Sequence, residues 1–333
     1  MRISPFDKPI IALTMGDPGG IGPEIIAKTF RKKPAKGRFF LVIGTPAPFA
    51  ALRKQFSYAA FHEVSAWDQL REGALNFWDM SRRCQLSGFD KSRISQRNGL
   101  QAFESLKFAA TAAVQGRVQA IVTAPVHKTA MRLVKPGFYG HTEYLAQMVK
   151  RKKFAMMFVG PKLKVTLVTI HVPVSEVSRL ITRERVLEKI FLTESFLKKN
   201  FKIKKPKLAV CALNPHGRET GTEDELQIRP AVEAAKRKGI QAAGPLSADQ
   251  VFFDAYEGRF DAVISMYHDQ GLAPFKMIAF RDGVNVTLGL PFVRTSPDHG
   301  TAFDIAYQNK AQAVSFQSAL RLAERLTLKS SIR

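Results

Sequence analysis

Three of the seven histidines, His171, His216 and His268, each stand just beyond a β-rich apolar run. They lie 45 and 52 residues apart in the chain. If the three runs share one edge of a sheet, the imidazoles emerge at the same end and could converge on a divalent cation. Three protein ligands with a fourth position open is the arrangement of a catalytic metal rather than a structural one. Spacings this long have no local signature, so three unrelated polar strand ends are the alternative reading.

A second group suits an anion. Gly140-His141-Thr142-Glu143 opens an amphipathic stretch with Thr142 expected as its N-cap, and His141 with free helix N–H groups could meet a phosphate or carboxylate. Lys276, Asn285 and Arg294 are spaced nine apart where Arg281 is the one other cation. Sparse cations in an acidic segment are candidates for ligand contacts, although solvated surface charges would read the same way.

Directly behind the apolar run at 9–13 comes MGDPGGIGPEII, residues 15 to 26. A dinucleotide fingerprint starting at Gly20-Ile21-Gly22 needs a third glycine where Ile25 stands, and a P-loop needs Lys where Pro23 stands. Glu24 adds a negative charge to the first helical turn, which suits the helix dipole and repels a phosphate. The stretch reads as a tight strand-to-helix turn with Pro23 at the helix start.

The elements that must position these residues alternate. Strands are expected at Ile10–Met15, Phe39–Ile43, Ala120–Thr123, Lys164–Ile170, Lys207–Leu213, Asp261–Met266 and Val284–Leu288. Helices are expected over Asn98–Gln115, with Leu100, Phe103, Leu106 and Ala110 on one stripe, and over Thr182–Phe201, with Leu187, Ile190, Phe191 and Leu197. Ser247 to Gln250 has the form of a capping box, and Pro230 suits a first helical turn. Asp298 to Ala306 reads as a turn joined to a helix start near Thr301. Strands alternating with helices make an α/β protein with a largely parallel sheet. In such sheets ligands bind beyond the carboxyl ends of the strands, where the histidine turns fall.

Composition narrows the class. Apolar residues at 45% and charged residues at 24% are those of a water-soluble globular protein. No apolar stretch approaches the ~20 residues of a spanning helix, and no secretory signal or membrane association is expected. Two cysteines, Cys84 and Cys211, are too few for a disulfide framework, which fits a cytoplasmic location. The net charge of +23 avoids residues 241–300, which hold four Lys/Arg and seven Asp/Glu. The excess sits in runs such as Arg31-Lys32-Lys33 and Lys150 to Lys153, with no aromatic-interleaved motif of the RNA-binding kind. A generally basic surface is expected rather than a nucleic-acid partner, and it would draw in anionic small molecules.

In order along the chain, GDPGGIGPE, TAPVHK, GHTEYLA, NPHG, YHDQGLAPFK and GVNVTLGLPFVRTSPDHGTAFDIA resemble the PdxA family, the 4-hydroxythreonine-4-phosphate dehydrogenases of vitamin B6 biosynthesis. The likeness runs from about residue 9 to 320. It implies an isocitrate/isopropylmalate dehydrogenase-like fold of two α/β/α domains with the active site in the cleft between them. The expected division is a cofactor-side domain of residues 1–128 plus 280–333, and a metal, substrate and dimerisation domain of residues 129–279. The stretch His299-Gly300-Thr301-Ala302-Phe303-Asp304 is similar to the nucleotide loop of that wider group, which would place NAD or NADP near His299, Gly300 and Asp304.

By the same resemblance His171, His216 and His268 are the metal ligands, holding zinc, magnesium or cobalt. His141, Thr142, Lys276, Asn285 and Arg294 are the substrate contacts, and the protein is a homodimer whose metal site is completed across the interface. The implied reaction oxidises the C3 alcohol of 4-phosphooxy-L-threonine to 2-amino-3-oxo-4-phosphooxybutanoate. That product loses CO2 to give 3-amino-2-oxopropyl phosphate. A related dehydrogenase acting on phospho-threonate would carry similar motifs. Two departures stand out: the loop Asn214 to Gly221 is shorter than the usual pattern and carries Arg218, and Tyr307 stands where the family usually has glycine.

Overall fold

The structure, a computed structural model, describes residues 8–85, 88–217 and 220–328. Among them the strands in chain order are β1 Ile10–Thr14, β2 Phe39–Gly44, β3 Phe61–Val64, β4 Leu75–Asp79, β5 Ala120–Thr123, β6 Ala155–Val159, β7 Lys164–Leu167, β8 Lys207–Cys211, β9 Gln241–Leu246, β10 Ala262–Ser265, β11 Val284–Leu288 and β12 Val293–Pro297. The chain divides into two compact units, residues 1–150 with 290–333 and residues 151–289. The division falls later than the expected 128 and 280. The helices Lys128–Val134 and His141–Met148 belong with the first unit, where the Tyr144 ring meets Phe103 of the helix Gln96–Val114 at 5.5 Å. The strand β11 belongs with the second, where it pairs antiparallel with β6.

In the first unit the strands run in the order β3-β4-β2-β1-β5-β12, every neighbouring pair parallel. Both faces are covered, so β1, β2 and β5 are buried at every position and read as continuous apolar runs. The 19-residue helix Gln96–Val114 starts at Ser95, whose hydroxyl accepts from the Asn98 amide at 3.1 Å. It buries Ala102, Leu106, Ala109 and Ala113 against the sheet cluster around Ile10, Leu41 and Ile121.

In the second unit the order is β11-β6-β7-β10-β8-β9. The strand β6 is antiparallel to β11 and β7, whereas β7, β10, β8 and β9 are mutually parallel neighbours. The helix Arg183–Phe196 is capped by Thr182, which accepts from the Arg185 amide at 3.3 Å, and it ends in a π turn at Leu197–Phe201. Pro230 does sit in the first turn of the helix Arg229–Arg237. The expected capping box does not form: the Ser247 hydroxyl makes no cap hydrogen bond and donates instead to the Asp249 carboxylate at 2.6 Å.

The turn behind β1 explains its own composition. Gly16 sits at φ +74, and a Cβ there would meet the Pro125 carbonyl at 2.4 Å. The Asp17 amide donates to that same carbonyl, the Gly19 amide to the Asp17 carboxylate, the Gly20 amide to the Asp17 carbonyl and the Ile21 amide to the Thr301 carbonyl. These four donors are spent on the protein itself, which is why the turn is no phosphate cradle. A Cβ on Gly20 would lie 2.8 Å from the Thr301 oxygen, so glycine lets the two segments touch.

Two residues into the helix Gly22–Thr29, Glu24 is 1% exposed. Its carboxylate accepts from the amides of Tyr307 and Ala311, both at 3.1 Å, and from Lys28 at 2.7 Å, and Lys28 also reaches the Ala311 carbonyl at 2.7 Å. Segment 299–311 is thereby seated on the opening turn. Replacing Glu24 with Ala strands two amides and an ammonium in the interior, and should cost about 3 kcal/mol of unfolding free energy. Urea denaturation measures it; a loss below about 1 kcal/mol would show that the loop does not depend on this carboxylate.

Candidate active site

In the first unit the site grows from the ends of β1, β5 and β12. Thr14 and Thr123 are register partners, and Arg294 is partnered with Ile121, two residues before Thr123. Alternation along a strand therefore puts all three side chains on one face. The Arg294 guanidinium donates from Nη2 to the Thr123 hydroxyl at 2.8 Å and from Nη1 to the Thr142 hydroxyl at 3.4 Å. Only 3% of Arg294 is exposed, and desolvation lowers its pKa to about 10, with Glu143 working the other way. It is still a cation at neutral pH, held in place by hydroxyls and suited to a carboxylate or phosphate.

His141 lies beside it, at the start of the helix His141–Met148. Burial first, then the charges of Arg294 and Lys128, hold its pKa well below the ordinary imidazole value. At neutral pH it is an uncharged hydrogen-bonding group, and its shielded Nε2 has no hydrogen-bond partner among the described residues. Thr142 is not the expected N-cap. Gly140 takes that place in extended backbone, so the Thr142 hydroxyl points to Arg294 from inside the first turn.

A second polar group sits on the opening turn. Asp17 is 1% exposed, and its carboxylate is supported by the amides of Gly19 and His127. Its Oδ2, the Thr14 hydroxyl and the His127 Nδ1 are all buried without a hydrogen-bond partner among the described residues. The His127 ring stacks on Phe303 at 5.5 Å. Clustered buried polar atoms without partners mark places where a molecule other than the chain belongs.

His299, Gly300 and Asp304 are exposed. No helix begins near Thr301; residues 303–309 are turns, because the amides at Tyr307 and Ala311 go to Glu24 instead of to a helical ladder. Tyr307 adopts φ +61, the left-handed conformation that favours glycine. Its ring is buried against Phe89, and its hydroxyl donates to the Pro18 carbonyl. Burial, then Asp17 and Glu24, push the phenol pKa well up, so it stays a donor.

The three strand-end histidines are all in the second unit. They follow β7, β10 and β8, which are adjacent and parallel in the order β7-β10-β8. His171 and His268 come together with ring centroids 5.9 Å apart. The His268 Nδ1 is 2.6 Å from the Asp269 carboxylate, a contact that would orient the ring through its other nitrogen. His216 sits on the short turn Pro215–Gly217 at φ +57. Among the described residues no three His, Cys, Asp or Glu side chains are gathered as a metal would need. Arg218 and Glu219 of the shortened loop lie outside the described residues. Lys276 is half-buried on the helix His268–Ala279, and Asn285 on β11 has a buried Oδ1 with no hydrogen-bond partner among the described residues.

Sequence reasoning passed over Asp17, Thr123 and His127. Asp17 stands inside the opening turn, where the glycines, Pro23 and Glu24 carry the sequence signal. Burial raises its pKa from 3.8 to about 7, against the amides of Gly19 and His127. Folding therefore favours the protonated carboxyl, and the contribution is fully present below the unfolded value and lost as pH rises toward 7. Asp17→Asn should gain stability relative to the parent chain between about pH 4 and pH 7 and then level off. Urea midpoints across that range would contradict this if the difference stayed flat.

The sequence profile of the family described as pyridoxal phosphate biosynthetic protein PdxA matches residues 39–323. The 4-hydroxythreonine-4-phosphate dehydrogenase of Geobacter metallireducens is 42% identical over 331 residues, covering 96% of both chains. The D-threonate 4-phosphate dehydrogenase of Salmonella typhimurium is 38% identical, over 95% of this chain and 98% of its own. The crystal structure of a 4-hydroxythreonine-4-phosphate dehydrogenase from Klebsiella pneumoniae superposes with a TM-score of 0.85 at 34% identity, covering 96% of this chain and all of that one. A profile spanning most of the sequence and a relative matched end to end agree, and the chain belongs to the PdxA family.

Proposed function

We propose that the chain is an oxidoreductase of pyridoxal phosphate biosynthesis that oxidises the C3 alcohol of 4-phosphooxy-L-threonine. The observation that carries this reading is the buried Arg294 guanidinium, fixed by Thr123 and Thr142, in a chain of the PdxA family. Such a cation, desolvated and oriented by two hydroxyls, is matched by an anionic substrate. In this reading the substrate contacts are His141, Thr142, Lys276, Asn285 and Arg294. His141 contributes a hydrogen bond rather than a charge, because its imidazole is uncharged at neutral pH. The buried Oδ1 of Asn285 is an acceptor suited to the substrate's ammonium.

We assign the cofactor, NAD or NADP, to the exposed His299, Gly300 and Asp304, on the segment that Glu24 seats. The divalent ion is assigned to His171, His216 and His268. The fit is partial within one chain: His171 and His268 are side by side, and His216 follows a neighbouring strand. A homodimer that completes the site fits that incompleteness. When bound, the nicotinamide supplies a hydride acceptor, and zinc, magnesium or cobalt supplies positive charge beside the reacting alcohol. The ketone formed lies β to the carboxylate, so loss of CO2 to 3-amino-2-oxopropyl phosphate follows from its chemistry. The isocitrate dehydrogenase-like class and a cytoplasmic location complete the reading; the buried free thiols Cys84 and Cys211 support the latter.

The second reading is oxidation of D-threonate 4-phosphate, the substrate named for the Salmonella typhimurium relative. The two substrates share the phosphate and differ at C2. Reduced nicotinamide should form from 4-phosphooxy-L-threonine in the presence of a divalent ion, and stop on chelation. Turnover of D-threonate 4-phosphate alone would transfer the assignment to the second substrate. His268→Ala should lose bound metal, measured by elemental analysis of the purified protein. Undiminished metal content would remove His268 from the ligand set.

A further inference from the structure

We propose that the first unit carries a second anion site, a basic cavity that takes a compact phosphorylated ligand with a flat apolar part. The cavity has a volume of about 500 Å³ and lies between residues 29–40 and the helix Val314–Leu328. That size is within the roughly 300–1,000 Å³ of small-molecule sites. Arg31, Lys32, Lys33, Lys36 and Arg38 line it, against the single carboxylate of Glu324. Arg38 is paired with that carboxylate at 2.9 Å, and Lys36 lies in the field of Glu72. Arg31, Lys32 and Lys33 have no ion-pair partner among the described residues.

Arg31, Lys32 and Lys33 are consecutive, and like charges crowded along one short segment repel one another. The C-terminal end of the helix Gly22–Thr29 is close by in the chain, but a helix end carries only about half a negative charge. A multivalent anion is the natural counter-charge. The floor has a different character: Phe30, Phe40 and Leu320 line it, and the two aromatic rings lie 5.4 Å apart. A concave site with a cationic rim and an aromatic floor suits a nucleotide-sized phosphate ester better than a flat membrane or a duplex backbone. It shares no residue with the candidate active site, and its existence does not depend on the reaction proposed above.

The test is isothermal titration calorimetry of the whole chain with inorganic tripolyphosphate and with ATP, at about 0.15 M salt. Both ligands should bind, ATP more tightly, and the double variant Lys32→Glu, Lys33→Glu should weaken both by at least about tenfold. These lysines are exposed, and an unchanged melting temperature would confirm that the variant is folded. Absence of binding at that salt, or equal affinity in the two proteins, would overturn the site. Tighter binding of duplex DNA than of ATP, lost in the same variant, would overturn it in favour of a nucleic-acid surface.

Discussion

One buried carboxylate organises the first unit's functional edge. Glu24 lies at the foot of the opening turn and accepts from two amides of a segment nearly 290 residues later in the chain, while Lys28 balances its charge. A lone carboxylate in the interior would be costly, but one with two amides and an ammonium is well compensated. The arrangement fixes where residues 299–311 lie, and therefore where His299, Gly300 and Asp304 are presented. The glycines and Pro23 of the opening turn serve the same end, since they let the backbone approach the Thr301 carbonyl without a Cβ between them. Tyr307 adds a second tie to this joint, from its hydroxyl to the Pro18 carbonyl, at a position whose backbone would suit glycine.

The proposed chemistry would rest on two groups that differ in kind. In the first unit a desolvated guanidinium, an uncharged imidazole and a set of hydroxyls are held by packing. In the second, histidines stand on turns beyond three adjacent parallel strands, with His171 and His268 already in contact. The first group is preorganised for an anion, and buried polar atoms without partners at Asp17, Thr14 and His127 extend it toward the loop that carries Phe303.

Much of this was legible before any coordinates. The runs at β1, β2, β5, β7, β8, β10 and β11 are apolar because both sheet faces are covered. The histidine turns were readable because ligand sites in such sheets lie beyond the strand ends. What escaped was polar for a reason. The strand β12 reads Val-Arg-Thr-Ser-Pro, yet Arg294, Thr295 and Ser296 are all buried: Arg294 donates to Thr123 and Thr142, and Thr295, on the other face, donates to the Ala319 carbonyl at 2.9 Å. The edge strand β9 contains Gly244-Pro245, which reads as a turn. Asp17 was hidden because its burial depends on contacts with His127 and Tyr307, far apart in sequence.

The central claim is that the opening turn works through the loop it seats and not by holding phosphate itself. Amide hydrogen exchange read at Tyr307 and Ala311 tests this most directly. Both amides should exchange slowly in the parent chain and fast in Glu24→Ala, while the amides of β1 keep their protection. Equal protection of Tyr307 and Ala311 in the two proteins would contradict it.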